Sequence, residues 1–89
     1  MDVPEGEYAE VADQQLDALE SGPDPKLYNA VLDACELILS YPGRAQSASS
    51  AVKDDRGRIV FRLAVNGYRE YKVFWTSDGP RIEAVFPHD

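Results

Sequence analysis

Eighty-nine residues, 44% apolar and 28% charged, make one folded domain and leave no room for a second. The formal charge of −7 argues against a nucleic-acid binder of the usual basic kind, and Cys35, the sole cysteine, excludes an intramolecular disulfide and a cysteine-built zinc cluster. No apolar run approaches the roughly 20 residues that cross a bilayer, and the opening Met1-Asp2-Val3-Pro4-Glu5 lacks a signal peptide's basic region, so a soluble cytoplasmic protein is expected.

Residues 1–7, rich in acid and broken by Pro4, read as a flexible N-terminus. Tyr8, Val11, Ala12, Leu16 and Leu19 then recur at helical spacing, with Glu10, Asp13, Gln14 and Asp17 on the other side. Ser21-Gly22-Pro23 ends this first helix, Gly22 being suited to a left-handed cap. A second helix starts at once. Asp24 is a good N-cap, Pro25 fits the first helical position, and Leu27, Val31, Ala34, Cys35, Ile38 and Leu39 form one apolar stripe. Tyr41-Pro42-Gly43 stops it, and the short connection predicts an antiparallel helical hairpin. Residues 43–57 combine small side chains and turn formers with no sustained period, and read as a long loop.

From Arg58 the period becomes two, with Ile59, Phe61, Leu63 and Val65 on one side. Asn66-Gly67 is a strong hairpin signal, Tyr68 to Thr76 favour a strand, Thr76-Ser77-Asp78-Gly79-Pro80 turns the chain, and Arg81 to Phe86 form a last strand. A two-residue Asn66-Gly67 turn would put Lys72 and Glu70 on the core face. A three-residue loop of Asn66, Gly67 and Tyr68, with Gly67 left-handed, instead brings Tyr71, Val73 and Trp75 to Ile59, Phe61, Leu63 and Val65. The sequence therefore predicts an α+β fold: an N-terminal helical hairpin packed on one face of a three-stranded, or at most four-stranded, antiparallel sheet. The other face carries Arg58, Arg62, Lys72 and Glu70 beside Val60, Ala64 and Phe74, a mixed basic and apolar surface able to receive a partner's helix.

Charge is divided along the chain. Residues 1–43 hold ten acids against Lys26 alone, whereas residues 44–72 hold seven bases against three acids. Any polyanion site should lie in the second half. The chain has no P-loop, GxGxxG, HExxH, CxxC or GxSxG motif, and with one His and one Cys neither a metal nor a cofactor is expected. Cys35, on an apolar helix stripe, reads as a small buried hydrophobe.

What remains lies on or beside the strands. Cleavage of RNA through its own 2′-hydroxyl needs a proton acceptor, a cation facing the transition state and a donor for the leaving oxygen. Arg62, Arg69 and Lys72 offer the cations, and His88 is the side chain that exchanges a proton near neutral pH. Tyr71 and Trp75 could stack on bases, although at strand spacing such residues are more often core. Arg69 stands between two tyrosines at the hairpin mouth.

Three stretches carry a resemblance: Ala-Asp-Gln-Gln-Leu-Asp-Ala-Leu around Ala12, Leu16 and Leu19; Gly67-Tyr68-Arg69-Glu70-Tyr71-Lys72-Val73; and Ile82-Glu83-Ala84-Val85-Phe86-Pro87-His88. Together with the element order they resemble the RelE/ParE superfamily of bacterial toxin–antitoxin toxins. The resemblance, over residues 8–88, implies a toxin fold, a neutralising antitoxin partner, and either ribosome-dependent mRNA cleavage or gyrase poisoning. It places Arg69 where the cleaving branch contacts the scissile phosphate and His88 near the C-terminal basic position. Independently of the resemblance, Arg58, Arg62, Lys72 and Tyr71 are read from their charge or ring chemistry as supporting phosphate or RNA contacts. This sequence departs from the family in lacking strand character over Asp2 to Glu7, in ending at Asp89 before a tail that can carry a catalytic tyrosine, and in being acidic. A protein-interaction module whose acidic helical hairpin binds a basic partner is the rival expectation.

Overall fold

A computed structural model describes residues 7–86. The elements are α1 (Glu10–Glu20), α2 (Pro25–Ser40), α3 (Pro42–Ala48), β1 (Ser50–Lys53), β2 (Ile59–Val65), β3 (Tyr68–Thr76) and β4 (Arg81–Phe86). The α+β class expected from periodicity is observed. The four strands form one antiparallel sheet in the order β1-β2-β3-β4.

The helical hairpin forms for the reasons its sequence gives. Asp24 Oδ1 accepts the Leu27 N–H at 3.1 Å, and Pro25 opens α2 where its missing N–H leaves no donor unpaired. Leu27, Val31, Ala34, Cys35 and Ile38 are buried along α2, and Ala12 and Leu16 along α1. Val11, expected on that apolar side, is 52% exposed because it lies about 100° around the helix from Ala12. Gly22 is not left-handed. Space at this position is tight instead: a Cβ there would stand 3.2 Å from the Ala18 carbonyl oxygen.

The stretch 43–57 is mostly ordered into α3 and β1, which corrects the long loop read from its composition. Pro42 ends α2 and opens α3, Ala45 is fully buried, and the Ser47 and Ser49 hydroxyls donate back to the Gly43 and Ala45 carbonyls. With one buried residue in seven, α3 shows no apolar stripe for periodicity to detect. Only the turn between β1 and β2 remains a loop, and Asp54 builds it. Its carboxylate accepts the Arg56 and Arg58 N–H groups at 2.9 Å each and the Arg58 Nε at 2.8 Å. Gly57 takes φ of +81°, which suits glycine.

The central hairpin also differs in detail. Val65 pairs with Tyr68, so the turn has two residues, Asn66 and Gly67, with Gly67 left-handed at φ +85°. Pairing resumes at Ala64 with Lys72, and Arg69, Glu70 and Tyr71 bulge out between these pairs. The bulge absorbs the register change that had been assigned to a longer loop, and the face assignment survives. Leu63 stands opposite Val73 and Phe61 opposite Trp75; Leu63, Val73 and Trp75 are buried, with Phe61 packed against them. Ile59 departs from the expected core and is 47% exposed at the sheet's end, opposite the exposed Lys53.

All three helices pack on one sheet face, α1 against β4, α2 across β2, β3 and β4, and α3 against β2. Trp75 is the largest fully buried side chain. It lies 4.9 Å from the Phe61 ring and donates its indole N–H to Ser49 Oγ at 3.1 Å. Gln15 ties α1 to the sheet by accepting the Val85 N–H at 2.6 Å. The expected flexible N-terminus is corrected at Glu7. Its carbonyl accepts the Ile82 N–H at 2.8 Å, the Ala9 N–H donates to the Ile82 carbonyl, and Tyr8 makes a parallel bridge on the β4 edge. Residues 1–6 lie outside the described residues.

Candidate functional site

With the helices on one side, the opposite sheet face is formed by every second residue of each strand. The strand pairing places Val52, Val60, Arg62 and Phe74 there, with Ala84, Phe86 and Lys72 continuing the surface toward β4. A second bulge, between Phe74 and Trp75, makes Thr76 pair with Arg81 and adds both to this face. The apolar members pack on one another: Phe74 and Phe86 meet edge to face at 4.9 Å, and Val60 and Ala84 are buried between neighbours. The sequence's division of charge thus becomes a division in space. Arg62, Lys72 and Arg81 lie on the sheet face, while Glu10, Asp13, Asp17, Glu20, Asp33 and Glu36 are exposed on the helical side.

Each expected site residue has a distinct environment. Arg62 occupies the middle of the face, between Ser50 and Phe74, and its Nε is buried without a hydrogen-bond acceptor. A buried donor left unpaired in the folded chain costs free energy. Lys72 donates its ammonium to the Arg69 carbonyl at 2.7 Å, which pins it over the bulge. Arg69 is exposed on that bulge. Arg58 lies at the far end of the sheet, its Nε held by Asp54, and that guanidinium with two backbone N–H groups keeps the Asp54 carboxyl below its usual range. Tyr71 is half-buried and packs against the core under the helices, away from Arg62 and Lys72. His88 lies outside the described residues. Lys72 therefore reaches the backbone of Arg69, Arg62 shares the face of Lys72, and Arg58 stands apart.

Sequence reading missed Arg81. Simple alternation along β4 cannot place it, because the bulge at Phe74/Trp75 lets Ile82 and Val85, three residues apart, both face the core. Trp75, weighed as a base-stacking platform, is fully buried in the core.

Cys35 is buried, as expected, and shares a hydrogen bond with the Tyr8 side chain. Burial is the largest cause that pushes the Cys35 thiol from 9.0 to about 12 and the Tyr8 hydroxyl from 10.0 to about 12. Neither group is a nucleophile at neutral pH. The folded state holds both protons at pH values where the unfolded chain releases them, so stability is full below about pH 9 and falls as pH rises toward 12. Urea midpoints measured from pH 8 to 11 should drop more steeply for the wild type than for a Cys35→Ala, Tyr8→Phe double variant. Parallel slopes would refute the assignment.

No protein-family model matches the chain, and neither a curated protein nor a solved structure matches it. No helix among the described residues is long and apolar enough to cross a membrane, and no group of three or more His, Cys, Asp or Glu side chains among them is arranged to hold a metal ion.

Proposed function

We propose that this chain is a RelE/ParE-like toxin-fold protein that acts by macromolecular contact through the sheet face opposite its helices, and that a cytoplasmic antitoxin neutralises it. One observation carries this reading: a helical hairpin covers one side of an antiparallel sheet, while the bare side presents Arg62, with its unpaired buried Nε, among Lys72, Phe74 and Phe86. The bridge at Tyr8, immediately before α1, gives strand character just past Asp2 to Glu7, the stretch that had none by sequence. Ribosome-dependent mRNA cleavage, with Arg69 and His88 as its groups, and gyrase poisoning remain the two modes that the family resemblance implies.

Inducing the protein alone in a bacterial host should arrest growth. Arg69→Ala should relieve the arrest, and so should Arg62→Glu combined with Lys72→Glu, with folding of each variant checked by circular dichroism. A supercoiling assay against an mRNA-integrity assay separates the two modes. An innocuous wild type overturns the proposal. Relief by reversing Glu10 and Asp13 on α1, with the sheet variants still toxic, would transfer the function to the acidic hairpin.

A further inference from the structure

At the turn end of the sheet, remote from Arg69, a recess of about 320 Å³ opens between the start of β2, the end of β3 and β4. That volume is at the lower end of small-molecule sites. Arg58, Ile59, Thr76, Asp78, Arg81 and Glu83 line it. Two guanidiniums and two carboxylates line it, so the recess offers groups of both signs, with Arg58 already paired to Asp54. Its hydrogen bonding is incomplete. The Arg81 Nε is buried without an acceptor, because the nearest carboxylate oxygen, Glu83 Oε2, stands 4.0 Å away and is already engaged by the Thr76 hydroxyl at 3.2 Å. Glu83 also acts electrostatically on Arg58. Ile59, 47% exposed at the wall, offers an apolar surface where the core pattern had called for burial.

The missing partner must therefore present an acceptor to Arg81 and a donor to Glu83 or Asp78 on one small frame, with an apolar group for Ile59. We propose that this recess binds a free aliphatic α-amino acid as its zwitterion. The ligand carboxylate pairs with Arg81, on the side open toward Arg58; its ammonium meets Glu83 and Asp78; and its side chain lies on Ile59. Charge-assisted hydrogen bonds of this kind are the strong ones. The inference does not depend on the toxin reading, and its test involves no growth phenotype.

The test is a two-dimensional amide NMR titration of the full chain with L-leucine, and separately with acetate and with isopentylamine at matched ionic strength. Leucine should give saturable shifts confined to residues 58–59 and 76–83, with a dissociation constant on the order of 1 mM. The two half-ligands should not saturate. Glu83→Gln, which keeps an acceptor for Thr76, and Arg81→Gln should each weaken leucine by about tenfold or more, equivalent to about 1.4 kcal/mol, while the dispersion of the other amides is kept. Three results would each overturn the proposal: no saturable leucine shift, acetate binding as well as leucine, or unchanged leucine affinity in Glu83→Gln. Should Arg81→Gln lose dispersion, the Glu83→Gln titration decides alone.

Discussion

Replacing Trp75 by alanine should cost about 3–5 kcal/mol of folding free energy, the range for truncating a buried aromatic. Domains of this size hold a total of roughly 5–15 kcal/mol, so the variant would be largely unfolded in mild urea. Three losses combine. The ring leaves a cavity in a core where it is fully buried, Phe61 loses its aromatic neighbour, and the Ser49 hydroxyl loses the indole donor. Ser49 links Trp75 onward to the Ala45 carbonyl, so the damage reaches α3, whose one buried residue is Ala45. Ser49→Ala alone should cost about 1–3 kcal/mol, since it strands a buried N–H. Phe74→Ala, one residue away but on the opposite face and half-buried, should cost less than Trp75→Ala. Urea unfolding of the three variants checks the order. A Trp75→Ala midpoint at the wild-type value would mean that Trp75 is not the core residue described.

The helical hairpin and the strand faces were legible in the sequence because long amphipathic elements carry their own period. The apolar stripe of α2 and the Asp24-Pro25 start are local signals, and tertiary contacts had only to agree with them. Helix α3 and strand β1 were not legible. In α3 a single alanine is buried, and β1 is an edge strand of four residues, three of them exposed. Neither gives alternation enough to read. Asp54 shows a different kind of blindness: its turn depends on one carboxylate gathering three donors, which composition registers only as a cluster of turn formers.

For the candidate site, the sequence supplied Arg62 and Lys72 on one face by refusing to bury charge. It could not supply Arg81, whose position depends on a bulge, or the unpaired Arg62 Nε, which depends on how neighbouring side chains close over it. Both bulges serve the same end. The one after Ala64 lets a tight Asn66-Gly67 turn coexist with Val73 and Trp75 in the core, and the one after Phe74 lets Ile82 and Val85 both be buried. The sheet accepts local irregularity because the alternative, a slip of every side chain to the wrong face, costs far more.

That cost can be measured at adjacent positions. Val73 is fully buried between Leu63 and Val85, and Val73→Lys would place an ammonium there with no partner. The expected loss exceeds about 4 kcal/mol, a value that few single substitutions reach. Desolvation depresses a buried lysine's pKa, so the folded state binds fewer protons than the unfolded one and stability should recover as pH rises. Recovery should be visible from about pH 7 to pH 9, above which the Cys35 and Tyr8 protons begin to oppose it. Lys72→Val, one residue away on the open face, loses one hydrogen bond to the Arg69 carbonyl and should cost about 1 kcal/mol or less. Circular dichroism of both variants across that pH window decides the register. If Val73→Lys folds normally while Lys72→Val does not, the two faces of the sheet are exchanged, and the cationic surface built from Arg62 and Lys72 lies under the helices.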